Sequence, residues 1–355
     1  MLTRRHILAG GAALALPTTG MATMIEAPHF VPAEEDPHAL TFMQWPNNRK
    51  AYREAWFLAD VQRTILNIAN TIAAFEPVIL LADAAFHGQL KPRLASGVTL
   101  WDVPTDDLWA RDSGPLFGRS EFGDMSVRGI RFNGWGDQQV HANDARVARR
   151  VADRLTLPYL PSGLTGEPGG VEQDGNGLLM AHASCWVNDN RNPGMSQQEV
   201  ANALLTAYGA ERIVWAPGLK GLDITDYHID GLARFTGPNR ALIQLPDTPD
   251  PNEPFHRAAL ETYDSLKQAG ISLSVIPDPV SHRVQDPEFA GAYVNYYVCN
   301  GAVIAPEYGD AQADAAAAEA LAEAYPGREI VALNADDLGW IGGGIHCATQ
   351  QMPEV

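Results

Sequence analysis

Apolar residues recur along this chain in five helix-like stretches, each followed by a short apolar run. The first stretch, about 55–75, shows the period well. Trp56, Leu58, Val61, Ile65, Ile68, Ala69 and Ile72 fall at helical spacing. Helical composition returns at about 143–156, 196–208, 254–269 and 312–325. Behind the helices the pattern predicts strands at Val78–Leu81, Leu157–Leu160, Ile213–Ala216, Leu273–Ile276 and Ile330–Leu333. The last four helices start at near-constant spacing, which reads as a repeat architecture. The wider first interval is assigned to strand-like material at Phe117–Trp135. An ordinary open α/β sheet would show the same alternation. No G-x-G-x-x-G turn joins a strand to a helix, so a dinucleotide site has no support.

Composition narrows the function classes. The chain has 355 residues, 46% hydrophobic and 19% charged, enough to bury a core in one large domain or two ordinary ones. Its formal charge of −18 argues against a nucleic-acid partner, which needs a basic face, and favours a cationic ligand. Three cysteines rule out a disulfide framework and are too few for an all-cysteine zinc site.

The N-terminus has the order of a twin-arginine export signal. Arg4-Arg5 precede an apolar run, Ile7–Leu16, that is too short to span a bilayer comfortably. Pro17 ends the run, and Gly20-Met21-Ala22 offers small residues for cleavage. The expected plan is therefore an export signal at 1–22 and one catalytic domain at 23–355. The translocation machinery would be its export partner, and the periplasm or the medium its destination. No later stretch is long and apolar enough to span a membrane.

Polar clusters follow four of the five strands: Trp109–Pro115, Glu167-Pro168-Gly169-Gly170, Asp226–Gly231 and Gly342–Cys347. The fourth strand leads to Ser281-His282-Arg283, which has no evident role. If the units wind around one axis, the loops bring carboxylates, an imidazole and a thiol together. A Cys–His pair supplies a nucleophile and a general acid/base. Flanking carboxylates raise a thiol's pKa, the wrong direction for a nucleophile, unless the substrate is itself a cation. A guanidinium offers planar N–H pairs that two aspartates can hold, aiming its carbon at sulfur. His228 would then protonate the departing nitrogen and activate water for the second half, with no metal or cofactor.

Bland readings compete at each position. Cys347 could be a packed core thiol. The glycines before it favour close backbone approach to a ligand instead. Asp112 could pair with Arg111. Trp109 either walls the pocket or fills the core. His346 is read as structural, because neighbours on an extended segment face opposite ways. Cys347, His346 and His228 match no zinc-ligand spacing.

The chain resembles the agmatine deiminase and bacterial peptidylarginine deiminase-like branch of the guanidine-modifying pentein superfamily. The likeness runs from about Pro32 to Pro353. Its motifs here are Met43-Gln44-Trp45-Pro46, Trp109-x-Arg111-Asp112-x-Gly114-Pro115, Phe132-Asn133-x-Trp135-Gly136, Glu172-x-Asp174-Gly175-x-Gly177, Asn190-Arg191-Asn192-Pro193, His228-x-Asp230 and Gly342–Cys347-x-Thr349-Gln350-Gln351. The resemblance implies a five-bladed pseudo-symmetric α/β propeller. It implies Cys347 as nucleophile, His228 as acid/base, Asp112 and Asp230 as guanidinium clamps, and Glu167 as the group that orients the histidine. Three features depart from the family. Pro168 replaces a glycine, and Tyr227 stands where a glycine usually precedes the histidine. The third is the export signal, unusual for polyamine synthesis. Tyr227 would narrow the pocket or reach the substrate's tail. The expected reaction is agmatine to N-carbamoylputrescine and ammonia. The alternatives are a peptidylarginine or free-arginine deiminase, an amidinotransferase, and a non-catalytic periplasmic guanidine-binding protein.

Overall fold

The computed structural model describes residues 29–286 and 289–355. The expected export signal, residues 1–22, lies outside them. Five small sheets are present among the described residues. Four share one plan: a hairpin, a helix, and a strand that returns parallel to the hairpin's second strand. A helix is the usual bridge between parallel neighbours, which need a long crossover.

The helices are α1 (Ala55–Ile72), α2 (Val147–Leu155), α3 (Gln197–Tyr208), α4 (Pro254–Gln268) and α5 (Ala311–Ala324). The returning strands are Tyr159–Thr165, Arg212–Ala216, Ser272–Pro277 and Glu329–Asn334. These match the predicted elements within a few residues. In the first unit, Val78–Ala82 returns beside His38–Gln44 and is buried at all five positions.

Two expectations change. The hairpin Leu116–Ser120 and Met125–Arg131 is no insertion; it is the ordinary hairpin of the second blade. The first interval is long because a short helix, Ala84–Leu90, and a fourth strand, Val98–Asp102, extend the first sheet. Trp56, expected on the buried face, is 56% exposed. It lies in the first turn of α1, ahead of the stripe that begins at Leu58.

The first blade is closed by the chain's last strand. Thr349–Pro353 pairs antiparallel with His38–Gln44, so the first sheet joins both ends of the described chain. The result is a five-bladed α/β propeller, as expected. The largest apolar cluster links α1, Val78–Ala82 and the fifth blade. It reaches Trp109, Trp135, Ile345 and Cys347. Among the described residues no helix is long and apolar enough to cross a membrane.

Candidate active site

Each of the five blade-to-blade crossings supplies one side chain or more to a common centre. Asp112 sits in the turn Ala110–Ser113 between the first and second blades. Glu167 precedes the turn Pro168–Gly170, between the second and third. His228 and Asp230 flank the start of Ile229–Gly231, between the third and fourth. Cys347 lies between the fifth blade and the closing strand. The fourth crossing delivers Asn295, not Ser281–Arg283. Arg283 instead pairs at the surface with Glu307 and Asp336.

Gly169 marks where these groups meet. A β-carbon built there would lie 2.6 Å from Asp112 Oδ1, 3.0 Å from His228 Nδ1 and 3.1 Å from Asp230 Oδ2. Only a glycine leaves that space open. Pro168 is tolerated because it opens the turn, where no N–H is required. All five expected site groups are buried.

The hydrogen bonds fix each group. His228 Nε2 lies 3.2 Å from Glu167 Oε2. Arg191 Nε donates to both Glu167 oxygens and its Nη1 donates to Asp226, so Glu167 is itself held. Cys347 Sγ stands 3.6 Å from Asp230 Oδ2. Asn295 donates from Nδ2 to Cys347 Sγ at 3.2 Å, and its Oδ1 accepts from the Cys347 amide. Trp135 Nε1 donates to Asp112 Oδ2 at 2.9 Å. Asp112 Oδ1 and Asp230 Oδ1 are buried and have no hydrogen-bond partner.

Charge states follow from these surroundings. Burial alone would lower the His228 pKa, but Asp112 and Glu167 outweigh it and raise it to about 9. The imidazole is therefore charged at neutral pH. Burial lifts Asp112 to about 6, against His228, with Asp230 and Glu167 adding to the rise. Asp230 stays below the ordinary carboxylate range despite its burial, because His346 bonds to it. Burial, Asp230 and Asp112 hold the Cys347 thiol well above its usual value. The free site thus pairs a neutral thiol with an imidazolium.

Several single-residue expectations are corrected. His346 does not face away from Cys347. Residues 345–348 form a turn and not an extended segment, so both side chains reach Asp230 Oδ2, His346 Nδ1 at 2.7 Å. Asp112 does not pair with Arg111, whose guanidinium goes to Glu34 at 2.8 Å. The glycines before Cys347 make room for protein atoms: β-carbons at Gly343 and Gly344 would strike Trp109 and Asn295. Trp109 packs on the Cys347 loop against Gly343 and is buried in the main apolar cluster.

Tyr227 takes a left-handed backbone, φ 73°, and so does Asp226 before it, φ 58°. That conformation favours glycine and strains a residue with a β-carbon. The Tyr227 ring stacks on His182 at 4.8 Å and meets Phe255 edge-on. Its link to the site runs through its backbone, since it directly precedes His228.

Sequence reasoning missed Asn295, and gave no role to Trp135. A signal for the first existed: Asn295 is the polar residue inside a buried run, Tyr293–Val298. Among the described residues no group of three or more His, Cys, Asp or Glu is arranged to hold a metal ion.

Comparison with known proteins agrees with this geometry. A family model described as Porphyromonas-type peptidyl-arginine deiminase matches residues 30–353. An agmatine deiminase of Ectopseudomonas mendocina is 32% identical, with 91% of this chain and 95% of that protein covered. An agmatine deiminase of Pseudomonas aeruginosa is 33% identical, with the same 91% and 95% covered. The solved agmatine deiminase of Enterococcus faecalis superposes with a TM-score of 0.83 at 24% identity, over 92% of this chain and 96% of that one.

Proposed function

The chain belongs to the Porphyromonas-type peptidyl-arginine deiminase family, and from that footing we propose that it converts agmatine to N-carbamoylputrescine and ammonia through a covalent bond to Cys347. The protein is a hydrolase of C–N bonds in linear amidines. One observation carries the site reading: two buried carboxylates converge with His228 and Cys347, and each has one oxygen that makes no hydrogen bond. Such oxygens are costly unless a ligand fills them, and a planar guanidinium brings N–H groups to both.

The chemistry runs in two halves. As the cation enters the clamp, the thiol proton leaves for solvent. Thiolate sulfur attacks the guanidinium carbon and forms a C–S bond. His228, already charged, gives its proton to one NH₂ group, and ammonia departs. The neutral imidazole then takes a proton from water as the water oxygen bonds to the same carbon. The C–S bond breaks and restores thiolate, the hydroxyl proton leaves for solvent as the carbonyl forms, and a ureido group is released. Glu167, itself held by Arg191, keeps the imidazole in place throughout. These steps draw only on protein side chains and water.

We also propose that residues 1–22 direct export by the twin-arginine route, leaving residues 23–355 as the catalytic domain. An exported enzyme gives the second reading, a peptidylarginine or free-arginine deiminase, its support. A role in putrescine synthesis belongs to the agmatine reading. The test is a side-by-side panel of agmatine, arginine and an arginyl peptide, scored for ammonia and ureido product. Fastest turnover of agmatine is expected. Ureido product from none of the three refutes the deiminase. Transfer of the amidine to an added amine in place of water makes it an amidinotransferase.

A further inference from the structure

Two N–H groups outside the reacting set are aimed at the clamp. Trp135 donates to Asp112 Oδ2, and His346 lies 2.7 Å from Asp230 Oδ2. In each carboxylate the other oxygen, Oδ1, makes no hydrogen bond, though Asp112 Oδ1 lies 3.7 Å from His228 Nδ1. The two halves of the clamp are therefore built alike: one oxygen held by a protein N–H, one without a hydrogen bond.

The surroundings hold both donors rigidly. Trp135 is 3% exposed. It sits in a run of four left-handed residues: Gly134 (φ 66°), Trp135 (55°), Gly136 (82°) and Asp137 (62°). Two of the four carry a β-carbon, so local preference opposes this turn and the surroundings must impose it. Asn133 anchors it by accepting from the Gly136 amide and donating to the Asn190 carbonyl. His346 is 2% exposed, and its Nε2 lies 2.9 Å from Glu34 Oε2. Both ring nitrogens lie within hydrogen-bond reach of carboxylate oxygens, so the ring is held from both sides. Glu34 is fixed in turn by Arg111 at 2.8 Å and Arg234 at 2.9 Å.

A carboxylate held through neither oxygen can turn about its last side-chain bond. A planar guanidinium needs both acceptors at fixed positions at once. We propose that Trp135 and His346 are the positioning residues of the guanidinium clamp, each fixing the orientation in which one aspartate meets the substrate. The proposal rests on the deiminase reading for the identity of the cation, and it bears on binding of that cation more than on attack by sulfur.

The test separates the two readings. Cys347→Ala removes turnover, so agmatine binding can be measured at equilibrium by calorimetry. Trp135→Phe in that background keeps the ring and loses only the N–H. It should weaken binding about ten-fold or more, the scale of one hydrogen bond to a charged group. His346→Gln retains a donor and should bind better than His346→Ala. In the active chain, Trp135→Phe should raise KM more than it lowers kcat. It should also shift the acid limb of kcat/KM upward, because Asp112 loses a donor that favours its ionised form. The groups facing Asp112 in that titration are His228, Asp230 and Glu167. Those facing His346 are Asp230, Glu34 and Glu172, with Arg111 and Arg234 behind them. Unchanged affinity in a folded Trp135→Phe protein, with Gln and Ala equivalent at His346, overturns the proposal. Agmatine bound but never converted by the parent chain sinks the deiminase reading and leaves the clamp standing.

Discussion

The thiol of Cys347 should ionise only when a cation occupies the clamp. Without substrate, burial and two nearby carboxylates keep it protonated at neutral pH. The perturbation is the substrate's own charge. Cys347 Sγ is 3.6 Å from Asp230 Oδ2, so a guanidinium between the aspartates lies at similar range. A unit charge about 4 Å away contributes ~4 kcal/mol at an effective dielectric of about 20, which is about three pKa units. The assay is alkylation against pH with iodoacetamide, which is neutral, and with a haloacetamidine, which carries the cation. A free thiol run in parallel corrects for the intrinsic reactivity of each reagent. Iodoacetamide labelling should still be rising above pH 9. The corrected amidine rate at pH 7 should exceed the neutral one by about 100-fold or more. A neutral-reagent profile that levels off below pH 7 refutes the reasoning. The thiolate would then be pre-formed, with His228 supplying the charge.

Replacing Cys347 with Ala should abolish turnover and keep guanidine-dependent thermal stabilisation; residual turnover near the parent rate removes the covalent step. Asp112→Asn and Asp230→Asn should each lower kcat/KM by at least about 30-fold, from ~2 kcal/mol or more per buried charged contact; a near-normal value in either shows that residue is no clamp. The kcat/KM profile should be bell-shaped. Activity falls with acid through about 6, where Asp112 protonates, and with base through about 9, where His228 loses its proton. A flat profile between pH 5 and 10 contradicts both assignments. Gly169→Ala should cut kcat/KM at least ten-fold in protein that still folds, since its β-carbon needs space held by Asp112, His228 and Asp230. Full activity would move the reaction centre elsewhere.

The longer helices are legible because a buried stripe runs along them, as in α1 from Leu58 to Ile72. The hairpins were harder. Strands such as Val171–Gln173 and Tyr297–Cys299 have three residues each, too few to show an alternation. Asp112, Glu167, His228, Asp230 and Cys347 stood out because polar residues clustered after apolar strands. Asn295 hid among tyrosines. His346 lies in a turn that the sequence does not announce, so the opposite-face argument for an extended segment does not apply there. The backbone at Tyr227 is not legible in the sequence: its amide donates to Asp223 Oδ1 and Thr225 Oγ1, its carbonyl meets His182 Nδ1, and its ring stacks on that histidine, which together hold a tyrosine in a conformation that suits glycine.

The nucleophile stands two residues ahead of the strand that shuts the ring. Its position therefore depends on a pairing between segments far apart in the sequence, Thr349 with Met43. The clamp, the acid and the orienting glutamate come from loops inside the ring, while the thiol is placed by the contact that closes it. Loosening that one seam would blunt the attack and leave the grip on the cation in place.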